Sequence, residues 1–465
     1  MRIVHDPAVF DTADDVPGDR GRRIETQTEL VAGDLALRAS AHAVVLLPEL
    51  WGSHCHKCFG GSDWRRLSRC GCCRTVYYCS KKCQQMDWRL DHQKECKRLK
   101  QLAQLELTSD QVMDVVLLGR VLRRKDAEGL KPVELVWYEE DLKDQELILL
   151  AALAQKLNLV DADSYSMDEM LRMLSRFRNN NFSISDELLL PLGAGCFPLG
   201  AMVNHSCDPN CAVTFVPETL DMEFRAMRPI KSGQEVTQTY VDVALPRRER
   251  QQRLQRKYHF RCNCARCAQS LQGGTSPDTF LDADIDGIPQ EFWTQERQDE
   301  VEQALKEISD AASRGAVETD LAMQQQHRIE ALEKLAKRQD GILHGENIAQ
   351  LQTLSTLFSA EIKRGSVRAS CRYGERMLEF YRRVYSSNHP MTGLHLFTLG
   401  DLYDQLAQTG ADPADRCDAK AVEYLAEAQR ILRITHGKGH RLVALLADRL
   451  DHRGRGNVEA QSPRQ

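Results

Sequence analysis

GCFPLGAMVNHSCDPN, residues 195–210, starts apolar and ends abruptly polar. Asn204, His205 and Cys207 stand together in it, and Asp208-Pro209-Asn210 is a strong turn signal. Downstream, Tyr240 closes the run EVTQTY, and Cys262, Cys264 and Cys267 come after it. One early thiol and three later ones make a tetrahedral thiolate set for a metal ion. That metal would tie the Asn-His turn to the chain beyond Tyr240.

The rest of the cysteine pattern agrees. The chain has 465 residues, enough for two to four domains, and carries 16 cysteines, most of them in two clusters. The opening MRIVHDPAVFDTADD lacks an apolar signal core, and no 18-residue apolar run occurs, so neither export nor a membrane span is expected. In a reducing compartment such clusters read as metal sites rather than disulfides. Residues 51–100 supply Cys55-x2-Cys58, Cys70-x2-Cys73, Cys79-x3-Cys83 and His92-x3-Cys96, four ligand pairs for two zinc ions. The interleaved set is expected: Cys55, Cys58, Cys79 and Cys83 on one ion, Cys70, Cys73, His92 and Cys96 on the other. Spacing alone leaves that pairing open, and Cys72 reads as a spare. Residues 80–100 read as helical, with His92 and Cys96 on one face. The net charge of the chain is −5, which argues against bulk nucleic-acid binding. Residues 81–100 carry seven basic and three acidic side chains, net +4, and a solvated helix face is preferred there over nucleic-acid contact.

YYCSKKCQQMDW with HQKEC after it resembles the MYND zinc finger. The resemblance implies a docking module for proline-rich peptides.

Elsewhere the pattern is coarser. Residues 23–47 read as a β-hairpin turning at Ala32-Gly33-Asp34, with Arg20-Gly21-Arg22 ahead of it as a weak anion or carboxylate site. Residues 101–192 are helical by periodicity, with stripes at Val112, Val115, Val116, Val121 and Leu122, at Leu147, Leu150, Leu153 and Leu157, and at Met167, Met170, Leu171 and Leu174. The methionines read as core. Short strands come next, turning at Glu218-Thr219. Arg247–Lys257, six basic residues and one acid, reads as an exposed helix. Ser270–Pro289 is Gly, Ser, Pro and Asp rich and reads as a linker. Amphipathic helices then run to about Leu450, with Leu305, Ile308, Leu332, Leu335, Leu351, Leu354 and Leu357 at core positions. His389 and His440 read as packing or capping residues. The polar tail reads as disordered.

NHSCDPN, the GQEV turn, Tyr240 and Cys-x-Cys-x2-Cys together resemble a SET lysine methyltransferase. With a MYND finger inserted after the first strands, most of the chain, residues 18–451, is similar to the SET-and-MYND (SMYD) family. The implied fold is α+β: small SET-type β-sheets with a pseudoknot, the inserted finger, a zinc-bound post-SET segment and a tetratricopeptide-like helical C-terminal domain. The implied boundaries are 1–50 and 193–245 for SET, 51–97 for the finger, 98–192 for a helical insertion and 246–270 for post-SET. A linker at 271–290, a helical domain at 291–451 and a tail at 452–465 complete the chain. YGERMLEFY and RITHGKGH look like signatures of that helical domain.

The resemblance further implies S-adenosylmethionine as cofactor, held by Arg20, Arg22, Asn180, Asn204, His205, Tyr240 and Phe260. Tyr240 would stand beside the reacting nitrogen, and Phe182, Tyr240 and Tyr258 would wall the lysine channel. Cys207, Cys262, Cys264 and Cys267 would hold a third structural zinc. A protein lysine is the implied substrate, and a monomer in cytoplasm and nucleus is expected. Two departures stand out: Gly21 is followed by Arg22 and Arg23 where the family usually has Gly-x-Gly, and EEDLKDQE, residues 139–146, lacks the usual asparagine. They keep a second reading open, a SET scaffold without turnover acting as a MYND and helical-repeat adaptor.

Overall fold

The computed structural model describes residues 1–4, 21–61, 66–124, 130–271, 276–314, 321–409 and 414–460, with backbone only at 271, 304–305, 307–314, 321–322, 414–415 and 452–460. Arg20 and the Leu305 and Ile308 side chains lie outside the described residues.

The β structure is broken into small sheets. Pro191–Cys196 lies between Ala43–Leu46 and Asn181–Ser185, antiparallel to both. Met222–Ala226 lies between Cys211–Phe215 and Leu35–Ala39. The hairpin expected over residues 23–47 is therefore corrected. Its turn exists, with Gly33 at φ +98°, but the strands flanking it, Arg23–Glu25 and Leu35–Ala39, join different sheets, and Ala43–Leu46 joins a third. Ala39, Ala43, Val45 and Leu46 are fully buried, and two sheets cover them where one hairpin could not. Gly193 records how closely the layers meet: a Cβ there would lie 2.1 Å from the Val45 carbonyl oxygen and 3.0 Å from Phe59 of the finger.

Helices Ser109–Arg123, Gln145–Lys156 and Met167–Asn180 form the insertion. Thr108 with Gln111, and Ser166 with Glu169, close capping boxes at the first and third. Met170, Leu171 and Leu174 are buried, so the methionine stripe is core. In the finger, Lys81–Asp87 and Gln93–Leu102 are joined by a π-helical stretch, Trp88–His92. One apolar core runs through finger, insertion and sheets.

A second core lies within helices Leu321–Ile342, Ile348–Arg364, Val367–Val384, Pro390–Thr409, Ala414–Thr435 and Arg441–Ala460, each packed on the next. His389 and His440 act as caps: their Nδ1 atoms accept from the Met391 and Leu442 amides. Two expectations change here. The last helix continues to Ala460 where a disordered tail was expected from 452, because extending a formed helix is far easier than nucleating one. Within the expected linker, Asp278, Leu281 and Ala283 are buried, because Leu281 and Ala283 supply apolar and backbone partners to the helical domain.

Candidate active site

The quoted stretch is knotted into a later one. Asn204–His205 pairs in parallel with Thr237–Gln238. Asn210, read from sequence only as a turn residue, is the clamp. Its Nδ2 donates to the Glu235 carbonyl at 2.8 Å, and its Oδ1 accepts from the Thr237 amide at 2.8 Å. Its own amide donates to Thr237 Oγ1 at 3.1 Å. Asn204 Nδ2 donates to the Arg22 carbonyl at 3.1 Å and to Glu235 Oε1 at 2.9 Å, drawing the first loop to the knot.

His205 positions Tyr240. Its Nδ1 accepts the Tyr240 amide proton at 2.9 Å. The neutral ring therefore carries its hydrogen on Nε2, which lies 3.3 Å from Cys207 Sγ, a favourable donor to a metal thiolate. The Tyr240 hydroxyl donates to the Val203 carbonyl at 3.0 Å. Its ring meets Tyr258 at 4.8 Å, His205 at 5.4 Å and Phe260 at 6.4 Å between centroids. Burial, with Tyr258 and Glu235 adding, raises the Tyr240 phenol above its ordinary range. It is therefore a neutral dipole at physiological pH.

Among the described residues, three cysteine-rich donor clusters have ligand atoms within 4.8 Å of one another: Cys55, Cys58, Cys79 and Cys83; Cys70, Cys73, His92 and Cys96; and Cys207, Cys262, Cys264 and Cys267; a fourth group, His56, Asp87 and His92, shares His92 with the second. The interleaved pairing of the finger holds, and all 16 cysteines are free of disulfides. These thiolate-rich, mostly buried sets fit tetrahedral zinc. His92 Nε2 faces Cys70 Sγ at 3.4 Å, and burial, with His56 adding, pushes its pKa to about 4, the neutral form a metal needs. In the third cluster, bonds shared among the thiols lower Cys267 to about 7 and raise Cys207. Cys207 Sγ lies 3.9 Å from Cys262 Sγ and 3.5 Å from Cys267 Sγ.

Of the expected site residues, Asn204, His205, Tyr240, Tyr258 and Phe260 come together. Asn180 Nδ2 holds the insertion, donating to Val136 and Arg176 carbonyls at 2.9 and 2.8 Å. Among the described ring contacts, Phe182 meets Phe197 at 6.0 Å and not the tyrosines. Arg22 is half-buried behind Gly21, whose φ is +60°. Arg23 turns to Glu25, Nε to Oε1 at 2.8 Å, in the strand Arg23–Glu25. Sequence reasoning missed Tyr138 as well as Asn210. The Tyr138 hydroxyl donates to the Tyr258 carbonyl at 3.1 Å, and its ring lies tilted over His259, 3.9 Å between centroids. Its only signal was an aromatic beside the acidic run EEDLKD.

Comparison with known proteins agrees with this geometry. The SET domain profile matches residues 75–241, ending one residue past Tyr240. The chain is 30% identical over 438 residues to histone-lysine N-methyltransferase SMYD3 of Homo sapiens, covering 91% of this chain and 93% of that one. The chain belongs to the SMYD family. It is also 28% identical to histone-lysine N-methyltransferase ASHR1 of Arabidopsis thaliana, covering 90% of each chain. To N-lysine methyltransferase SMYD2 of Homo sapiens it is 26% identical, covering 94% of this chain and 96% of that one. SMYD membership accounts for the inserted finger, the broken sheets, the third cysteine cluster and the helical C-terminal region.

Proposed function

We propose that this SMYD-family chain is a protein-lysine N-methyltransferase, using S-adenosylmethionine and acting on histone or non-histone lysines. One observation carries the reading: Tyr240 is locked at its amide by His205 and at its hydroxyl by Val203, within a ring of Tyr258 and Phe260.

The donor supplies an electrophilic methyl on a sulfonium. By resemblance, Asn204, His205, Arg22, Asn180 and Phe260 would hold it. Arg20 completes that set by resemblance. The chain's main task is alignment, because an in-line displacement gains most from fixed geometry. Tyr258 would wall the path of the lysine stem beside Tyr240, with Phe182, which packs on Phe197, assigned there by resemblance alone, and the π faces near Tyr240 suit a cation. An incoming ammonium, ordinarily near pKa ~10.4, is disfavoured in a dry aromatic passage and sheds its proton to solvent before reaction. Tyr240, kept neutral by burial, orients the amine and is not a base. Three zincs are structural and stand outside the chemistry. The finger serves as a docking site for proline-rich peptides, and the chain works as a monomer in cytoplasm and nucleus.

The scaffold reading rested on Arg23. Its guanidinium is engaged by Glu25, which weakens that reading. Calorimetric titration of zinc-replete protein with S-adenosylhomocysteine tests the choice: binding is expected, and its absence defeats the enzyme reading. Tyr240→Phe should keep that binding and lose most methyl transfer to lysine peptides. Unchanged turnover would refute the role given to the hydroxyl.

A further inference from the structure

Beside the Cys207 cluster lies a buried ion triad for which the proposed methyl transfer has no use. Helix Arg247–Tyr258, expected to be merely exposed and basic, turns Arg250 inward until it is fully buried. Arg250 Nε lies 3.2 Å from Cys207 Sγ, and its Nη2 lies 3.9 Å from Cys267 Sγ. Its two terminal nitrogens grip the Asp278 carboxylate at 2.7 Å each. Asp278, also buried, takes Arg266 at 3.0 and 2.5 Å and the Ser270 hydroxyl at 2.8 Å. Arg266 in turn donates to the Cys207 carbonyl at 3.2 Å.

Four thiolates around one divalent ion carry a net charge of about −2. Buried charge needs a counter-ion with good geometry. Arg250 is placed as that counter-ion, and Asp278 fixes its plane by a fork-to-fork contact. Asp278 belongs to a segment sewn to the helical domain: the Ile348 amide donates to the Leu281 carbonyl at 2.8 Å, and Asn347 Nδ2 donates to the Ala283 carbonyl at 2.8 Å. The same metal cluster sits against Tyr240, Tyr258 and Phe260.

We infer that Asp278 and Arg250 are positioning residues for the metal at Cys207, Cys262, Cys264 and Cys267, and that through them the helical domain governs how tightly that ion is held. The inference rests on the cluster holding zinc. It does not need the protein to turn over. Outer-shell partners of a metal commonly change its affinity by about 10–100-fold.

The test uses full-length, zinc-replete protein carrying Asp278→Asn or Arg250→Gln, with Arg250→Lys as the charge-keeping variant and Asp278→Glu should Asp278→Asn fail to fold. Zinc content is measured by atomic emission during challenge with a chelator. N-ethylmaleimide labelling and mass spectrometry then report which cysteines open. Expected for Asp278→Asn and Arg250→Gln is at least tenfold faster release from one site, with labelling beyond that of the exposed Cys72 confined to Cys207, Cys262, Cys264 and Cys267. Both finger clusters should keep their wild-type rates, and Arg250→Lys should fall between. Wild-type retention in Asp278→Asn and Arg250→Gln overturns the inference. So does simultaneous opening of all three clusters, which would mark plain unfolding. No methyl donor or substrate enters the measurement, so an inactive chain would still report on the triad.

Discussion

Replacing Asn210 by alanine should loosen the knot more than any surface change nearby. Asn210 is buried, and its side chain satisfies the Glu235 carbonyl and the Thr237 amide, each at 2.8 Å. Alanine reaches neither, and a buried polar group left without a partner costs about 1–3 kcal/mol, so two such groups cost about 2–6 kcal/mol. For a unit the size of the SET region that is an apparent melting shift of at least about 4 °C. The control lies two residues away. Asp208 pairs with Arg228 at 2.8 Å, but both side chains are more than 40% exposed, so Asp208→Ala should cost less than about 1 kcal/mol. Scanning calorimetry of zinc-replete protein reads both. Titration with S-adenosylhomocysteine then reads the site, since Thr237 pairs with Asn204 and the Tyr240 amide hangs on His205. Asn210→Ala should weaken that binding, while Asp208→Ala leaves it alone. Equal melting temperatures for the two variants, or unweakened binding in Asn210→Ala, would refute the clamp.

The same geometry sets other outcomes. Arg23→Gly, which restores the usual second glycine, should change S-adenosylhomocysteine affinity less than threefold by calorimetry, because the Arg23 side chain already lies on Glu25. A gain beyond tenfold would show that this arginine obstructs the donor. At the junction of finger and sheet, Arg120 donates to Glu95 at 2.8 Å and to the Val44 carbonyl at 2.5 Å, all within the core. Glu95→Gln should therefore cost about 3–5 kcal/mol in chemical unfolding, with part of it recovered by adding Arg120→Met. Alkaline pH should destabilise the helical domain. Burial, with Asp242 adding, pushes the Tyr381 phenol to about 12, a raised folded value. Its contribution is complete below pH 10 and is lost as pH rises toward 12, amounting to about 2–3 kcal/mol. Melting temperatures from pH 9 to 11.5 should fall less steeply in Tyr381→Phe, and parallel curves would count against that assignment.

The ligand sets were legible because metal ligands obey local spacing: Cys55-x2-Cys58 or Cys262-x-Cys264-x2-Cys267 bring thiols together almost whatever the rest of the chain does. The insertion helices were legible by periodicity, since Val112, Val115, Val116 and Leu122 share a face before any tertiary contact forms. The strands were less so. Residues 23–47 read as one hairpin turning at Gly33, and only the competition between distant partners sent Arg23–Glu25 and Leu35–Ala39 to separate sheets. Asn210, Tyr138, Arg250 and Asp278 were unreadable in their roles for a related reason. A hydrogen bond or buried ion pair between residues 25 or more apart leaves no periodic trace, and its worth depends on water being excluded at one place. The sequence by itself determined the grouping of candidate metal ligands, the motifs that carry the family resemblance and the helical segments, all written in short stretches of chain. The tertiary structure alone decided which carboxylate faces which guanidinium, how the knot is clamped and where Arg23 turns, because those depend on burial, a property of the whole packed chain.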